Sequence, residues 1–562
     1  MAKISNFDLS AKQLVDFALE KFRKGDVFGS ARYVRNALLI NKRLSSAYGV
    51  LGCLFSDINE FDIANKVLFK GLHESRDYSG VVLRRQLALN FLKMNQPEVA
   101  MFYADDDNSE VADMLDDIFA DMESDPVPEL FRSYPPTEEY CAYLLAKAYE
   151  LANDGDMESA MKVVDNIPEQ FDDMVVKSKL VMLTMNNDID SVIEFSERMI
   201  NEGRDNVPVR CALASAYLLK NRDKEAREVA EPLFEQVGRD VEKMFMVLPV
   251  AVSLEMHSEI IKIINSVYDR PNIKTSRRLL LWYSQALYNI GEHESAKAVM
   301  SDLNALYGEE APAFYYLDLY AKSPEKAEYS LVLPKDGRDK NLSTVCGILM
   351  MSDEELEKFD RTHTAVGDNL DYYIHWALSN CNMQDVLIPF ILRCRRASEI
   401  LQNSLISGEL QYATMSAIID AFVMLNDGIH PVTFDIVSQD RFKHIEFMRP
   451  RATHRLPSTL RNAVLLSIAD IIFTDEDPNF YLGRFTKLIN GMVDLGEGGK
   501  LVYSGRPREK LSSLRSADTL VGVFLSKVYE EDETRESVIE RYKLNEKLYD
   551  KYYNIIFGEN DD

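Results

Sequence analysis

Gly496-Glu497-Gly498-Gly499-Lys500 has the residue types of a phosphate cradle. Glycines let backbone amides approach a phosphate, and a lysine supplies charge. The spacing does not follow. A phosphate loop needs glycine where Asp494 stands and Ser or Thr where Leu501 stands, so the stretch reads as a turn between two helices. Asp105, Asp107 and Ser109 have the rhythm of a calcium loop. Its sixth position is Glu110 instead of the glycine that makes the sharp turn, and its twelfth is Asp116 instead of a bidentate glutamate. The eight histidines are dispersed, with no pair at helical ligand spacing. Cys53, Cys141, Cys211, Cys346, Cys381 and Cys394 form no CxxC pair and read as reduced core or near-core residues. No GxSxG, HExxH or dinucleotide fingerprint occurs. These residues predict no enzyme, no metal and no cofactor.

Cations are the remaining chemical signal. Between 441 and 461 the chain carries Arg441, Lys443, Arg449, Arg451, Arg455 and Arg461 against Glu446 alone. Arg449, Arg451, Arg455 and Arg461 are candidate phosphate contacts, and they define one reading: a nucleic-acid-associated regulator. The formal charge of −27 argues against sequence-independent binding of nucleic acid by the whole chain.

The elements that would position any site show a period. Tyr48, Leu51, Gly52 and Phe55 share one helical face, and Phe61, Ala64, Leu68 and Leu72 share another. Between them Asp57-Ile58-Asn59-Glu60 makes a break. The same template starts again at Leu14, Arg84, Leu144, Val176, Arg210, Met244 and Leu280, at steps of 34, 36, 60, 32, 34, 34 and 36 when Tyr48 is included. Sixteen residues after each start a small residue is expected where two helices cross. The positions hold Ser30, Ala64, Ala100, Ala160, Val192, Ala226, Ile260 and Ala296. Eleven residues after each start falls the turn, with Gly25, Asn59, Asn95, Gly155, Asn187, Asn221 and Gly291, and Glu255 as the exception.

A 34-residue period with these marks resembles the tetratricopeptide repeat (TPR), over about residues 10 to 320. The resemblance implies an α-solenoid whose first helices build a concave wall. It places Arg85, Tyr149, Lys177, Phe245, Gln285 and Tyr288 on that wall as partner-binding residues. The wall is mixed apolar and aromatic, suited to an extended or helical peptide. The implied function is a non-enzymatic scaffold or adaptor for protein or peptide partners.

The fold class expected is all-α. Residues 1–104 hold repeats 1–3, and 105–139 form an acidic insertion with a Pro-rich connector. Within it, 105–129 has eleven Asp or Glu and no Lys or Arg, and Val111 to Phe119 keeps helical spacing. Residues 140–322 hold repeats 4–8 and a partial repeat, and 323–340 a linker. Residues 341–440 read as irregular helical repeats. Residues 441–562 read as a helical C-terminal domain with the basic segment, helices at Leu460–Ile472 and Tyr481–Leu495, and a helix-turn-helix-like end. Neither an apolar signal core nor a membrane-length apolar run occurs, so a cytoplasmic protein without membrane contact is expected.

Overall fold

The computed structural model describes residues 10–77, 80–104, 138–167, 172–308, 311–362, 370–495, 500–503, 514–530 and 532–557. The calcium-like triplet, the acidic helix and most of the Pro-rich connector lie outside them. So do Gly496 to Gly499.

The chain is all-α, with two short antiparallel ladders among the described residues. From Ala11 to Tyr103 and from Glu138 to Ala321, each helix packs on its successor, except that His257–Val267 packs past the short helix Pro271–Lys274 onto Arg277–Asn289. The turn register is the one the spacing predicts. Gly25, Asn59, Asn95, Gly155, Asn187, Asn221 and Gly291 all have positive φ. Glu255, the residue that breaks the Gly/Asn pattern, also does (φ 54°). Gly and Asn enter this region at low cost. Glu255 is held there because the helices Val241–Ser253 and His257–Val267 must still fold back on each other. The eight crossing residues are all buried, including the larger Val192 and Ile260. Ser30 is tolerated among them because its hydroxyl donates to the facing carbonyl of Ala18; in the eighth pair Ser284 donates to the carbonyl of the crossing residue Ala296.

The order of the pairs in space differs from their order in sequence. Helix Val27–Ile40 of the first pair packs on helix His293–Tyr307 of the eighth, and the two ends share one core cluster. Arg35 donates to the carbonyls of Ala305 (2.9 Å) and Leu306 (2.7 Å). It thereby satisfies open carbonyls at a helix C-terminus. Gly308 permits this approach: a Cβ there would lie 2.7 Å from the Arg35 guanidinium. Tyr307 packs on Phe55 with ring centroids 5.6 Å apart. The first three pairs therefore follow the eighth.

Two stretches depart from the expected organisation. Residues 323–340 are not a free linker. Residues 324–330 belong to no helix or ladder but bond through their backbone to Gln285, Tyr288, Asn289 and Tyr316, and Lys335–Leu349 is already a helix. Pro334 sits at its N-cap and Asp336 in its first turn, where an acid favours a helix start. The second departure is at 432–447, where a boundary at 440/441 would cut a β-hairpin. β1 (Val432–Ser438) pairs antiparallel with β2 (Arg441–Phe447). Gln439 and Asp440 both take positive φ, as a two-residue hairpin turn requires. Phe434, Ile436, Ile445 and Phe447 point into the core. The alternation of apolar residues that marks these strands lay beneath a reading based on charge.

The later helices follow the spacing more closely, including Ala517–Val528, Arg535–Arg541 and Glu546–Phe557. The helix expected over Tyr481–Leu495 spans Pro478–Met492 instead. It gives way to β3 (Val493–Leu495), which pairs with β4 (Leu501–Tyr503). The described residues on either side of the glycine stretch are thus strands, where helices were expected. Among the cysteines, Cys346 is exposed, contrary to the near-core expectation, and Cys141 and Cys211 are buried.

Helix Tyr412–Leu425 carries an unfavourable charge. Burial pushes Asp420 up to about 7, and its Oδ1 has no hydrogen-bond partner among the described residues. A raised native pKa means that the ionised form penalises the folded state. The penalty is complete above pH 7, shrinks as pH falls toward 4, and is absent below the usual carboxylate range. Asp420→Asn is expected to raise stability by ~1–3 kcal/mol at pH 8 and to change it little at pH 4. Urea unfolding at the two pH values measures this.

Candidate peptide-binding groove

Gln285, Tyr288 and Asn289 lie at spacing 0, 3 and 4 on helix Arg277–Asn289, so they share a face. Ser276 caps this helix by accepting from the Leu279 amide. Tyr288 is fixed between two rings. It stacks on Tyr320 at 4.3 Å and 10°, and meets His293 edge-on at 4.5 Å. Tyr316 comes from the neighbouring helix Ala313–Ala321, and His257 opens helix His257–Val267.

Against this face lies the chain's own segment 324–330, outside any helix or ladder. Tyr288 donates its hydroxyl to the Pro324 carbonyl (2.7 Å). Asn289 Nδ2 donates to the Ala327 carbonyl (2.9 Å), and Asn289 Oδ1 accepts from the Ala327 amide (2.7 Å). Tyr316 donates to the Glu328 carbonyl (3.0 Å) and Gln285 to the Ser330 carbonyl (3.1 Å). Four side chains from two helices thus address the backbone of one segment. Burial changes from residue to residue between 327 and 329. Ala327 is fully buried, Glu328 is exposed, and Tyr329 turns back in. The Tyr329 hydroxyl meets His257 Nδ1 at 2.8 Å. Burial pushes His257 below its usual pKa, which favours the neutral ring able to accept that proton. Burial also pushes the Tyr329 phenol upward and keeps it protonated.

Asn289→Ala removes both bonds to Ala327 and leaves a buried amide and carbonyl unpaired. A loss of ~1–3 kcal/mol is expected in urea unfolding, with earlier proteolytic cleavage between 323 and 331.

Of the residues placed on the wall by spacing, Gln285 and Tyr288 meet in this groove, and they are buried by the segment. The other four lie on different helices. Arg85 is exposed on Val81–Lys93, and Tyr149 is half-buried on Glu138–Asn153. Lys177 is exposed and pairs with Glu242 at 3.1 Å. Phe245, on the same helix as Glu242, is 40% exposed. The residues that spacing missed are Asn289, one position beyond Tyr288, and Tyr316 and His257. The alternation small–polar–aromatic in Ala327-Glu328-Tyr329 was the available signal for the segment.

The basic segment does not form one cationic face. Arg449 is buried, with its guanidinium on the Val423 carbonyl and against His454. Burial pulls it below its usual pKa, and it is withdrawn from any phosphate contact. Lys443 is also buried and donates to the carbonyls of Ile472 and Phe473 at the end of helix Ser458–Thr474. Burial lowers it to about 8. Arg441 pairs with Glu476. Arg451 lies 3.8 Å from Asp494. Arg455 is exposed and Arg461 half-buried.

A second concavity, of about 830 Å³, lies where helix Phe61–Ser75 meets helix Ala397–Ile406 and β1. Arg43, His73, Arg76, Glu399, Asp435 and His444 are among its lining residues. Among the described residues no group of His, Cys, Asp and Glu is placed to hold a metal ion, and no helix is long and apolar enough to cross a membrane. Neither protein-family models nor curated proteins give a match to this chain.

Proposed function

We propose that this chain is a non-enzymatic, cytoplasmic scaffold of TPR type that binds protein or peptide partners on its helical-pair surface. One observation carries the reading. Gln285, Tyr288, Asn289 and Tyr316 grip the backbone of segment 324–330 through one amide and four carbonyl groups. Contacts to backbone give affinity for any extended chain, and alternating pockets add selectivity. The half-exposed Phe245 and the exposed Leu219 (65%) and Met185 (45%) offer further apolar contact along pairs five to seven.

The test is cross-linking in cells. Tagged full-length chain, treated with a lysine-reactive cross-linker, is expected to recover a defined protein partner cross-linked to Lys177, Lys322 or Lys326. Recovery no richer than that of a tag-only control, at every lysine, would overturn the proposal.

A further inference from the structure

We infer that residues 324–330 are a built-in occupant of the groove, and that its outside ligand is an extended peptide with a small residue followed two positions later by an aromatic one. The inference rests on the scaffold reading and specifies the ligand and its control.

The ligand chemistry is read from the occupant. Asn289 engages both the N–H and the C=O of Ala327. That position therefore needs a free amide, which excludes proline. Ala327 is completely buried, so a larger side chain has no room without displacement of the segment. Glu328 faces solvent, so the middle residue is unrestricted. Tyr329 enters a half-buried slot packed against the cluster of pairs six to eight and meets His257 at 2.8 Å. An aromatic residue with a polar tip fits this slot. Small, then any residue, then aromatic is the resulting pattern.

The occupant is held incompletely. Gln285 is fully buried, yet its Oε1 has no hydrogen-bond partner among the described residues. Glu325 and Lys326 are exposed. The Lys326 pair with Glu255 is about half exposed on both sides, a kind of pair that contributes little. Most of the hold on the segment is therefore backbone bonding that another peptide can reproduce. Ser323, with φ 53°, breaks the chain away from helix Ala313–Ala321, and a new helix begins at Lys335. The segment is tethered at both ends, which gives it a high effective concentration. A free peptide meets an occupied site until the segment is released.

The experiment uses full-length protein and a fluorescein-labelled peptide with the sequence of residues 322–332. The double variant Ala327→Arg, Tyr329→Ser weakens the occupant and leaves the groove intact. Fluorescence anisotropy is expected to show at least tenfold tighter binding to this variant than to the unaltered chain. Binding should be lost when Asn289→Ala is added, or when the peptide carries arginine at the alanine position. A folded double variant, checked by far-ultraviolet circular dichroism, that binds no peptide overturns the inference. If the double variant does not fold, hydrogen exchange of the unaltered chain decides. An Ala327 amide that exchanges at least a hundredfold faster than the amides of helix Arg277–Asn289 supports release, and equal protection overturns it. Failure here with a cross-linked partner recovered in cells removes only the built-in occupant, whereas failure of both removes the scaffold.

Discussion

Tyr103→Ala is expected to destabilise the chain by about 3–5 kcal/mol. Tyr103 is fully buried at the end of helix Pro97–Tyr103. Its ring stacks on Phe91 at 5.6 Å and 8° and meets Phe102 edge-on at 5.0 Å. Its hydroxyl donates to the Asp440 carbonyl and accepts from the Phe442 amide, both at 2.7 Å. Asp440 belongs to the turn of the β1–β2 hairpin and Phe442 to β2 just after it, so one side chain ties the third helical pair to the C-terminal half. Val437 and Phe442 complete the contact from the hairpin side. Alanine removes the ring and opens a cavity at this junction. Tyr103→Phe separates the two contributions. It keeps the packing and removes the hydroxyl's bonds to the Phe442 amide and the Asp440 carbonyl, for about 1–3 kcal/mol. Urea unfolding gives both values. Hydrogen exchange at Phe442 adds the local readout: faster exchange in Tyr103→Phe with little change in helix Val81–Lys93. Unchanged exchange there would mean that the hairpin is held without this hydroxyl.

The helical pairs were legible in the sequence because their marks are local. A small residue must sit where two helices cross, and a left-handed residue must turn the chain. Ala64 and Asn59 state both requirements without reference to anything distant. The docking of the first pair on the eighth was not legible. It rests on Arg35 reaching carbonyls about 270 positions away and on Gly308 leaving room for it; neither residue has a distinctive neighbour in sequence. The β-hairpin was legible in principle. Phe434, Ile436, Ile445 and Phe447 alternate with polar residues, but Arg441 and Lys443 drew the reading toward charge. Charge in sequence also misled about exposure. Lys443 and Arg449 are buried because carbonyls near helix C-termini, at Ile472, Phe473 and Val423, accept from them. Of the groove, Gln285 and Tyr288 were found by repeat position. That a segment of the same chain would cover them depends on the path after Ser323, which no periodicity records.

The second large effect is expected at Asp435. This carboxylate is 2% exposed and sits in β1 directly opposite His444 of β2. Its Oδ1 accepts from His444 Nδ1 at 2.6 Å, and its Oδ2 meets His73 Nδ1 at 2.5 Å. His73 belongs to helix Phe61–Ser75, so a single side chain joins the second helical pair to the hairpin. The backbone of Asp435 is fixed from a third direction. Gln402 of helix Ala397–Ile406 accepts from its amide and donates to its carbonyl. The carboxylate therefore cannot move to follow a displaced partner. Asp435→Ala strips the acceptor from two ring N–H groups at once. Each histidine retains about a quarter of its side-chain exposure, so water recovers part of the loss, and a net cost of about 2–4 kcal/mol is expected. Asp435→Asn keeps the shape but accepts from only one ring, and should fall between wild type and alanine. If the carboxylate couples the two histidines, His73→Ala and His444→Ala will be non-additive in the Asp435 background but nearly additive once Asp435 is alanine. Equal additivity in both backgrounds would show that the helix and the hairpin are held by Tyr103 and the surrounding apolar contacts instead. That outcome would also shift the stabilisation of the junction from its polar wall, beside the 830 Å³ cavity, to its aromatic one.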